Sequence, residues 1–428
     1  MSDSKNKKEL IQKARGMNDI FSREYFAKEK MIEKAKNIAS FYGFNPIQTP
    51  HLEKIDLFSS TLGESTDVIE KEMYSLKTKG GNKLVLRPEL TAPIMRAYIE
   101  HGMQSKPQPV MLYSHGACFR HDKPQKGRRR EFQQFDLEIL GEKDSIADAT
   151  IIKVALAILE EAIGIKSISV RINSIGCKEC RETYKKELTS FYKKKTKEIC
   201  KDCERRLKVN PLRLLDCKKE QCIKEKENCP QLMNHLCGEC TSHLKDLLET
   251  LDASETPYYL DSCLVRGLDY YSRTVFEFFS EENNLELGGG GRYDFLSEIL
   301  GNKNIPAVGM AIGIDRAIDI LSEKNELPKI PQKQTKVFFI QLGAEAKHKS
   351  FSILEALRKA KIPTKHSLNK DSLKSQLKIA SKLKVPYAII FGQKEAIEGT
   401  VIIRDMDSVS QETIPLSGLV DFLKKKIK

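Results

Sequence analysis

The sequence predicts an α+β core built on a mainly antiparallel sheet, a helical segment inserted into that core, and a compact α/β domain at the C-terminal end. Three observations lead there. Between residues 83 and 140 strand-like segments dominate: KLVLRP, PVMLYSHGACFR and EFQQFDLEIL, the last two joined by the charged loop HDKPQKGRRR, which is the pattern of an antiparallel pair around a flexible turn. From about 177 to 250 the composition shifts to Lys, Glu and Cys at helical spacing, and strand-like sequence resumes at PYYLDSCLVRG. Past a polar, proline-bearing stretch, β and α patterns alternate over roughly 95 residues, as in a small α/β domain. The 428 residues suffice for several cores. The expected layout is a core over 1–325 interrupted by a Cys-rich insertion at 174–252, a linker at 326–336 and a domain at 337–428.

The elements follow in order. Residues 24–42 (EYFAKEKMIEKAKNIASFY) space Phe26, Met31, Ile32, Ala35, Ile38, Ala39 and Tyr42 along one helical face, and Gly43 is a stop signal. The segment FNPIQTPHLEKIDLF alternates but carries prolines at 46 and 50, so it suits an edge or interface strand. At the other end, VFFIQLG, a helix near 344–361, IPTKHS, a helix near 370–383, VPYAIIFG, TVIIRD and a final helix complete the α/β pattern.

Composition narrows the function classes. No apolar run approaches the ~20 residues of a membrane helix, and MSDSKNKKEL is not followed by an apolar signal core, so the expected address is the cytoplasm. The net charge of +13 is unevenly placed: residues 177–245 carry 18 Lys/Arg against 11 Asp/Glu, and residues 333–428 carry 19 against 9. A nearly neutral core with two basic appendages suits an enzyme that grips a phosphate backbone beside its active site. Two solvated Lys-rich domains would give the same totals. Lys193, Lys194 and Lys195 form a basic run in the first of these segments, a candidate contact for such a backbone.

In EFQQFDLEIL the period of two puts Phe135, Leu137 and Ile139 on one face and Phe132, Gln134, Asp136 and Glu138 on the other. One face is core and the other can bind, although any half-buried strand alternates. Arg120 ends the partner strand, and Arg128, Arg129 and Arg130 sit in the loop; arginine offers a planar fork for phosphate. The glycine run 288–291 lacks the following G-K-[ST] of a phosphate loop and reads as backbone permissiveness near the substrate.

At this point CFRHDKPQKGRRREFQQFDLE resembles motif 2 of class II aminoacyl-tRNA synthetases, in the version peculiar to the histidyl-tRNA synthetase family. PAVGMAIGIDRAI (306–318) is similar to motif 3, LVRGLDYYSRTVFEF (264–278) to the family's histidine-binding peptide, and GGGGRYD (288–294) to its second signature. The early helix and the strand around Pro50 fit motif 1. The resemblance covers nearly the whole chain, and class I signatures are absent. It implies a class II catalytic core, an anticodon-binding C-terminal domain, a homodimer formed through motif 1, tRNA(His) as partner, and ATP with Mg2+. It also implies the reaction: histidyl-adenylate forms with release of pyrophosphate, and histidine then passes to the terminal adenosine of the tRNA.

By the same resemblance Arg120 binds the α-phosphate, Arg316 the γ-phosphate, and Arg266 stabilises charge developing at the α-phosphate. Phe132 would stack on adenine. Glu89, Thr91 and Gln134 match positions that bind the α-ammonium group, with Arg120 and Arg266 at the carboxylate end. Glu138 and Tyr271, with Tyr270 alongside, match the pair that reads the imidazole. A buried site that bonds both ring nitrogens rejects other side chains by roughly 10⁴–10⁵. No acidic Mg2+ ligand stands out. Two departures are Leu90, where the family commonly has glycine, and Asp136, where many bacterial members have a small residue. The rival readings are the regulatory subunit of short-form ATP phosphoribosyltransferase and a catalytically dead RNA-binding regulator. The first lacks an anticodon domain and the second predicts damaged motif arginines.

Nine of the eleven cysteines fall between 177 and 240. Cys177/Cys180, Cys200/Cys203 and Cys237/Cys240 are C-x-x-C pairs, and with Cys217 and Cys222 they make eight thiolates, the number that two tetrahedral Cys₄ zinc sites need. Reduced thiols in a helical insertion are the plainer reading. The pairing is open, and His235 and His243 are read as surface residues.

Overall fold

The structure, a computed structural model, describes residues 10–62, 68–123, 127–282, 284–330 and 335–427. The chain forms two compact units, Met1–Lys329 and Ile330–Lys428.

The first unit is organised by an eight-stranded sheet. Its strands are β1 (Asn45–Pro46), β2 (Val110–Phe119), β3 (Glu131–Leu140), β4 (Ile168–Ser174), β5 (Tyr259–Leu260), β6 (Ser272–Ser280), β7 (Leu285–Arg292) and β8 (Ala307–Gly313). They lie in the order β1-β2-β3-β8-β7-β6-β4-β5, antiparallel throughout the middle and parallel only at the two edge pairs. The two-residue edge strands leave little ladder for another chain to extend. β2 and β3 pair from Val110↔Leu140 to Phe119↔Glu131, as the sequence expected. The alternation in β3 also holds: Phe135, Leu137 and Ile139 enter the main core, and Phe132, Gln134, Asp136 and Glu138 face the other way.

Two helices close the apolar face. Ser22–Phe41 lays Ala27, Met31, Ile32, Ala35 and Ala39 on it, and Ile146–Ala157 is buried along most of its length. Small residues at 27, 35 and 39 let the first helix lie close. The segment 44–58 differs from its expectation: strand is limited to Asn45–Pro46 and Leu52–Lys54, and Ile55–Thr61 is helical. Leu57 and Phe58 are adjacent and both buried, with Thr61 one turn on, a pattern that a helical turn allows and a strand with one buried face does not.

The helical segment belongs to the same compact unit. Its last helix, Gly238–Ala253, puts Leu244, Leu247 and Leu251 into the main core. His243 is a correction to the surface reading. It is 7% exposed, with its Nε2 3.4 Å from Asp148, because three turns of this helix face the core. His235 is half-buried, 2.8 Å from Glu187.

The second unit carries strands Val337–Gln341, Thr364–His366, Tyr387–Phe391, Thr400–Asp405 and Gln411–Pro415 in one sheet, flanked by Ala344–Lys359, Leu373–Lys382 and Leu419–Lys426. A short helix at Gln393–Glu398 and the last strand were not anticipated. QETIP has one buried residue and shows no apolar alternation.

Candidate functional site

The polar face of β3 forms the floor of a cavity of about 1080 Å³. Six of the residues singled out in the sequence open onto it: Arg120, Phe132, Gln134, Arg266, Tyr271 and Arg316. They come from β2, β3, the loop before β6 and the helix after β8, so only the folded sheet assembles them.

The cationic side is prepaired. Arg316 donates from Nε to the Gly127 carbonyl at 3.0 Å and from Nη1 to the Glu286 carboxylate at 3.1 Å. Arg266 reaches the same carboxylate at 3.3 Å and is hydrogen-bonded to Glu277. Burial disfavours charge on Glu286, but the two guanidinium groups outweigh it and hold its carboxyl well below the usual range. Burial instead lifts Glu277 above that range, with Arg266 opposing. Arg120 donates to the Pro88 carbonyl at 2.9 Å, and its guanidinium lies 5.3 Å from the centre of the Phe132 ring. Of the loop arginines, Arg128 and Arg129 also line the cavity, paired there with Asp122 and with Asp315 and Asp319, while Arg130 bonds the Asp122 carbonyl. The segment 124–126 of that loop lies outside the described residues.

Glu89, Thr91, Glu138 and Tyr270 sit behind the cavity wall as a buried cluster. Glu89 caps the helix Thr91–Glu100 by accepting the N–H groups of Thr91 at 2.6 Å and Ala92 at 3.0 Å. Thr91 Oγ1 donates to Glu138 at 2.7 Å, and the Tyr293 hydroxyl bonds the other Glu138 oxygen. Burial pushes the Glu138 carboxyl up to about 8 against the pull of those two bonds. Burial also raises Glu89. Asp136 goes well above its ordinary value, first from burial and then from repulsion by Glu138 and Glu89. Tyr270 packs 4.8 Å from Tyr271 and 5.8 Å from Tyr293, centre to centre. Gln134 accepts from the Cys118 thiol at 3.2 Å.

Two glycines make room for this arrangement. Gly309 of β8 lies opposite Glu138, and a Cβ there would overlap its carboxylate. A Cβ at Gly289 would come 2.7 Å from both an Arg266 nitrogen and the Phe276 carbonyl. At Gly289 the glycine run is therefore a strand compressed against its neighbour and under the Arg266 side chain.

Sequence reasoning did not single out Tyr293, Glu277 or Glu286. Tyr293 stands inside the GGGGRYD signature, Glu277 inside the stretch LVRGLDYYSRTVFEF, and Glu286 two residues before the glycine run. The outward register of the two glutamates on β6 and β7 was the available signal.

The cysteines fall into two groups. Cys177, Cys180, Cys237 and Cys240 form one, and Cys200, Cys203, Cys217 and Cys222 the other, with all sulfurs in each group within 4.8 Å of one another. Individual separations are 3.5 Å for Cys177–Cys180, 4.0 Å for Cys177–Cys237 and 3.9 Å for Cys200–Cys217. A tetrahedral zinc with thiolates at about 2.3 Å places sulfurs about 3.8 Å apart, so both groups fit the ion.

Comparison with known proteins is consistent along the whole chain. Residues 16–317 match the family model described as Histidyl-tRNA synthetase, and residues 336–426 match that of an anticodon-binding domain. The chain is 41% identical over 420 residues to a histidine–tRNA ligase of Dehalococcoides mccartyi (strain 195), covering 98% of this chain and all of that one. It is 38% identical to a histidine–tRNA ligase of Natranaerobius thermophilus, covering 97% of this chain and 99% of the relative. Among solved structures, apo histidyl-tRNA synthetase of S. aureus superposes with a TM-score of 0.75 at 29% identity, covering 97% of this chain and all of that one.

Proposed function

Because the chain belongs to the histidyl-tRNA synthetase family, we propose how its own residues divide the work of that family's reaction. The activity is that of a histidine–tRNA ligase: histidine and ATP give histidyl-adenylate and pyrophosphate, and the histidyl group passes to the 3′ terminal adenosine of tRNA(His). The observation that carries the assignment of roles is the single cavity onto which Arg120, Arg266 and Arg316 all open beside Phe132.

Arg120 and Arg316 bind the α- and γ-phosphates, and Arg266 meets the charge that builds at the α-phosphate as the histidine carboxylate attacks. Fixed cations act strongly here because they need no reorganisation during the step. Phe132 offers its free face to adenine. The family uses ATP with Mg2+, and Glu277 and Glu286 are the carboxylates beside the arginines suited to hold the ion. When bound, it neutralises phosphate oxygens.

The buried cluster receives the amino acid. Glu89, Thr91 and Gln134 take the α-ammonium group, and Glu138, Tyr270 and Tyr271 take the imidazole, with Tyr293 orienting Glu138. Each cysteine group holds one structural Zn2+, which sulfur separations near 3.8 Å support. A homodimer forms through the helix Ser22–Phe41 and the edge strand β1, where Phe41 is 84% exposed. Among the described residues no helix is long and apolar enough to cross a membrane, and a cytoplasmic location suits eleven unpaired cysteines. The regulatory-subunit reading loses ground because the C-terminal unit and the whole segment Arg266–Tyr271 are present.

The test is amino-acid-dependent ATP–pyrophosphate exchange across the twenty amino acids. Exchange with histidine alone is expected. No exchange from folded, metal-replete protein would move the assignment to the regulatory paralogue.

A further inference from the structure

The loop that carries Arg266, Tyr270 and Tyr271 has no regular secondary structure between β5 and β6, yet its residues must be held to a fraction of an ångström for catalysis. The inserted helical segment holds it at both ends. Arg213 donates to the Gly267 carbonyl at 2.6 Å and pairs with Asp269 at 3.5 Å, and Asn210 donates to Asp269 at 3.1 Å. At the other end Arg181 donates to the Tyr271 carbonyl at 3.0 Å.

Both arginines are placed by the cysteine groups. Arg181 directly follows Cys180, in the group that closes the base of the insertion through Cys177, Cys180, Cys237 and Cys240. Asn210 and Arg213 lie on the stretch between Cys203 and Cys217, whose ends meet in the second group. That stretch has only a short helix and a 3-10 turn (Lys201–Val209 and Pro211–Leu214) to stiffen it. Without a metal only weak sulfur hydrogen bonds, such as Cys177 to Cys237 and Cys200 to Cys217, join each group, whereas a metal that joins the four cysteines closes the loop outright.

We propose that the two cysteine centres are a clamp for the catalytic loop: zinc at each fixes one arginine, Arg181 or Arg213, against the backbone of the segment bearing Arg266, Tyr270 and Tyr271. These are positioning residues: Arg181 and Arg213 bond the loop's carbonyls, and Arg213 also pairs with its Asp269 carboxylate, although Arg213 borders the cavity as well. The proposal rests on the zinc reading above and gives the centres a role in the reaction beyond folding. It also predicts which parameters move. Arg120, Arg316 and Phe132 stand on other elements, so the KM for ATP stays unchanged, while the KM for histidine rises and kcat falls.

The experiment uses full-length R213A, C217S and the double variant, with zinc content read before pyrophosphate-exchange kinetics. Wild type should carry two zinc ions, R213A two and C217S one. R213A and C217S should each lower kcat/KM for histidine by about 10- to 100-fold, and the double variant should fall no further than C217S, because both changes remove the same contact. R213K, which keeps a donor, should recover part of the loss. The clamp is overturned if C217S lacks one zinc yet keeps its kcat/KM for histidine, if the two losses multiply, or if only kcat falls with no change in KM. If C217S does not fold, zinc release from wild type by a chelator replaces it: histidine activation lost in step with release supports the clamp, and activity that survives release overturns it. Zinc-free wild type from metal-replete medium would sink the metal reading itself.

Discussion

Glu138 carries an ionisation cost that can be measured. Its carboxyl is fully buried and, through that burial, sits at about 8 rather than the ordinary 4.5. The sign follows from proton counting. Below about pH 4.5 both the folded and unfolded states hold the proton, and between about 4.5 and 8 only the folded state does, so stability falls as pH rises through this window. A shift of about 3.5 units at 1.36 kcal/mol per unit sets a ceiling of about 5 kcal/mol. Glu138→Gln removes the cost while keeping an acceptor for the Thr91 hydroxyl and a donor for Tyr293. The stability of the variant relative to wild type should therefore improve by about 4 kcal/mol between about pH 5 and about pH 8.5. Urea midpoints of the catalytic unit, followed by far-UV circular dichroism at both pH values, read this difference. Taking a difference of differences cancels whatever the amide does to packing. A gap between the two proteins that stays flat with pH would show that Glu138 ionises normally in the folded state and would refute the argument. The same variant should lose histidine-dependent pyrophosphate exchange, so here stability and function pull in opposite directions.

Two further outcomes follow from other parts of the structure. Arg292 is fully buried, bonded to Asp148 at 2.8 Å, to Asp294 at 3.2 Å and to the carbonyls of Glu142 and Asp144. Arg292→Ala strands Asp148 without its main counter-charge and should cost roughly 3–5 kcal/mol, read as a lower urea midpoint, whereas a loss below about 1 kcal/mol would mark the pair as dispensable. Lys193 and Lys194 are exposed, while Lys195 is tied to Glu225 and lies 4.9 Å from the Phe191 ring centre. Replacing Lys193 and Lys194 with Ala should weaken tRNA(His) binding and flatten its salt dependence by up to about two units of slope while leaving pyrophosphate exchange intact, and an unchanged salt slope would remove this run from the tRNA interface.

Legibility in the sequence tracked the range of the interactions involved. The β2–β3 hairpin and the two faces of β3 were readable because alternation is local and the inward positions Phe135, Leu137 and Ile139 are unambiguously apolar. The helix Ser22–Phe41 was readable for the same reason at its own period. The eight clustered cysteines could be counted from spacing, but their division into two groups could not, because Cys177 meets Cys237 across a 60-residue separation. His243 was misread since a histidine on a charged helix carries no sign of the distant Asp148 that receives it. Phe132 and Arg120 were flagged by the faces and end of the β2–β3 pair, whereas Arg266, Arg316, Tyr270 and Tyr271 came from resemblance to a family and not from periodicity. Tyr293 was passed over because its role depends on Glu138, 155 residues away, and Glu286 because a carboxylate that bridges two arginines looks in sequence like any solvated strand residue.

The cavity and the buried cluster behind its wall treat their carboxylates in opposite ways, as the proposed substrate assignment would require. On the phosphate side Glu286 remains ionised between Arg266 and Arg316. Two guanidinium groups that converge on one spot repel each other, and the carboxylate keeps them aimed there before ATP arrives. Both guanidinium groups are thus prepositioned at little electrostatic cost. On the amino-acid side Glu89, Asp136 and Glu138 have no guanidinium at hydrogen-bonding distance, and burial raises all three. A pocket of three ionised carboxylates would be costly to close, and a proton on Glu138 relieves it. When histidine enters, its ammonium group supplies the charge that burial had excluded, so the carboxyls can ionise in its presence. An amino acid without an imidazole would leave Glu138 and the Tyr271 hydroxyl unmatched inside a dry pocket, which is the costly outcome for buried polar groups. On the proposed assignment, selectivity for histidine would rest on the imidazole contacts of Glu138 and Tyr271, since every amino acid brings the same ammonium group.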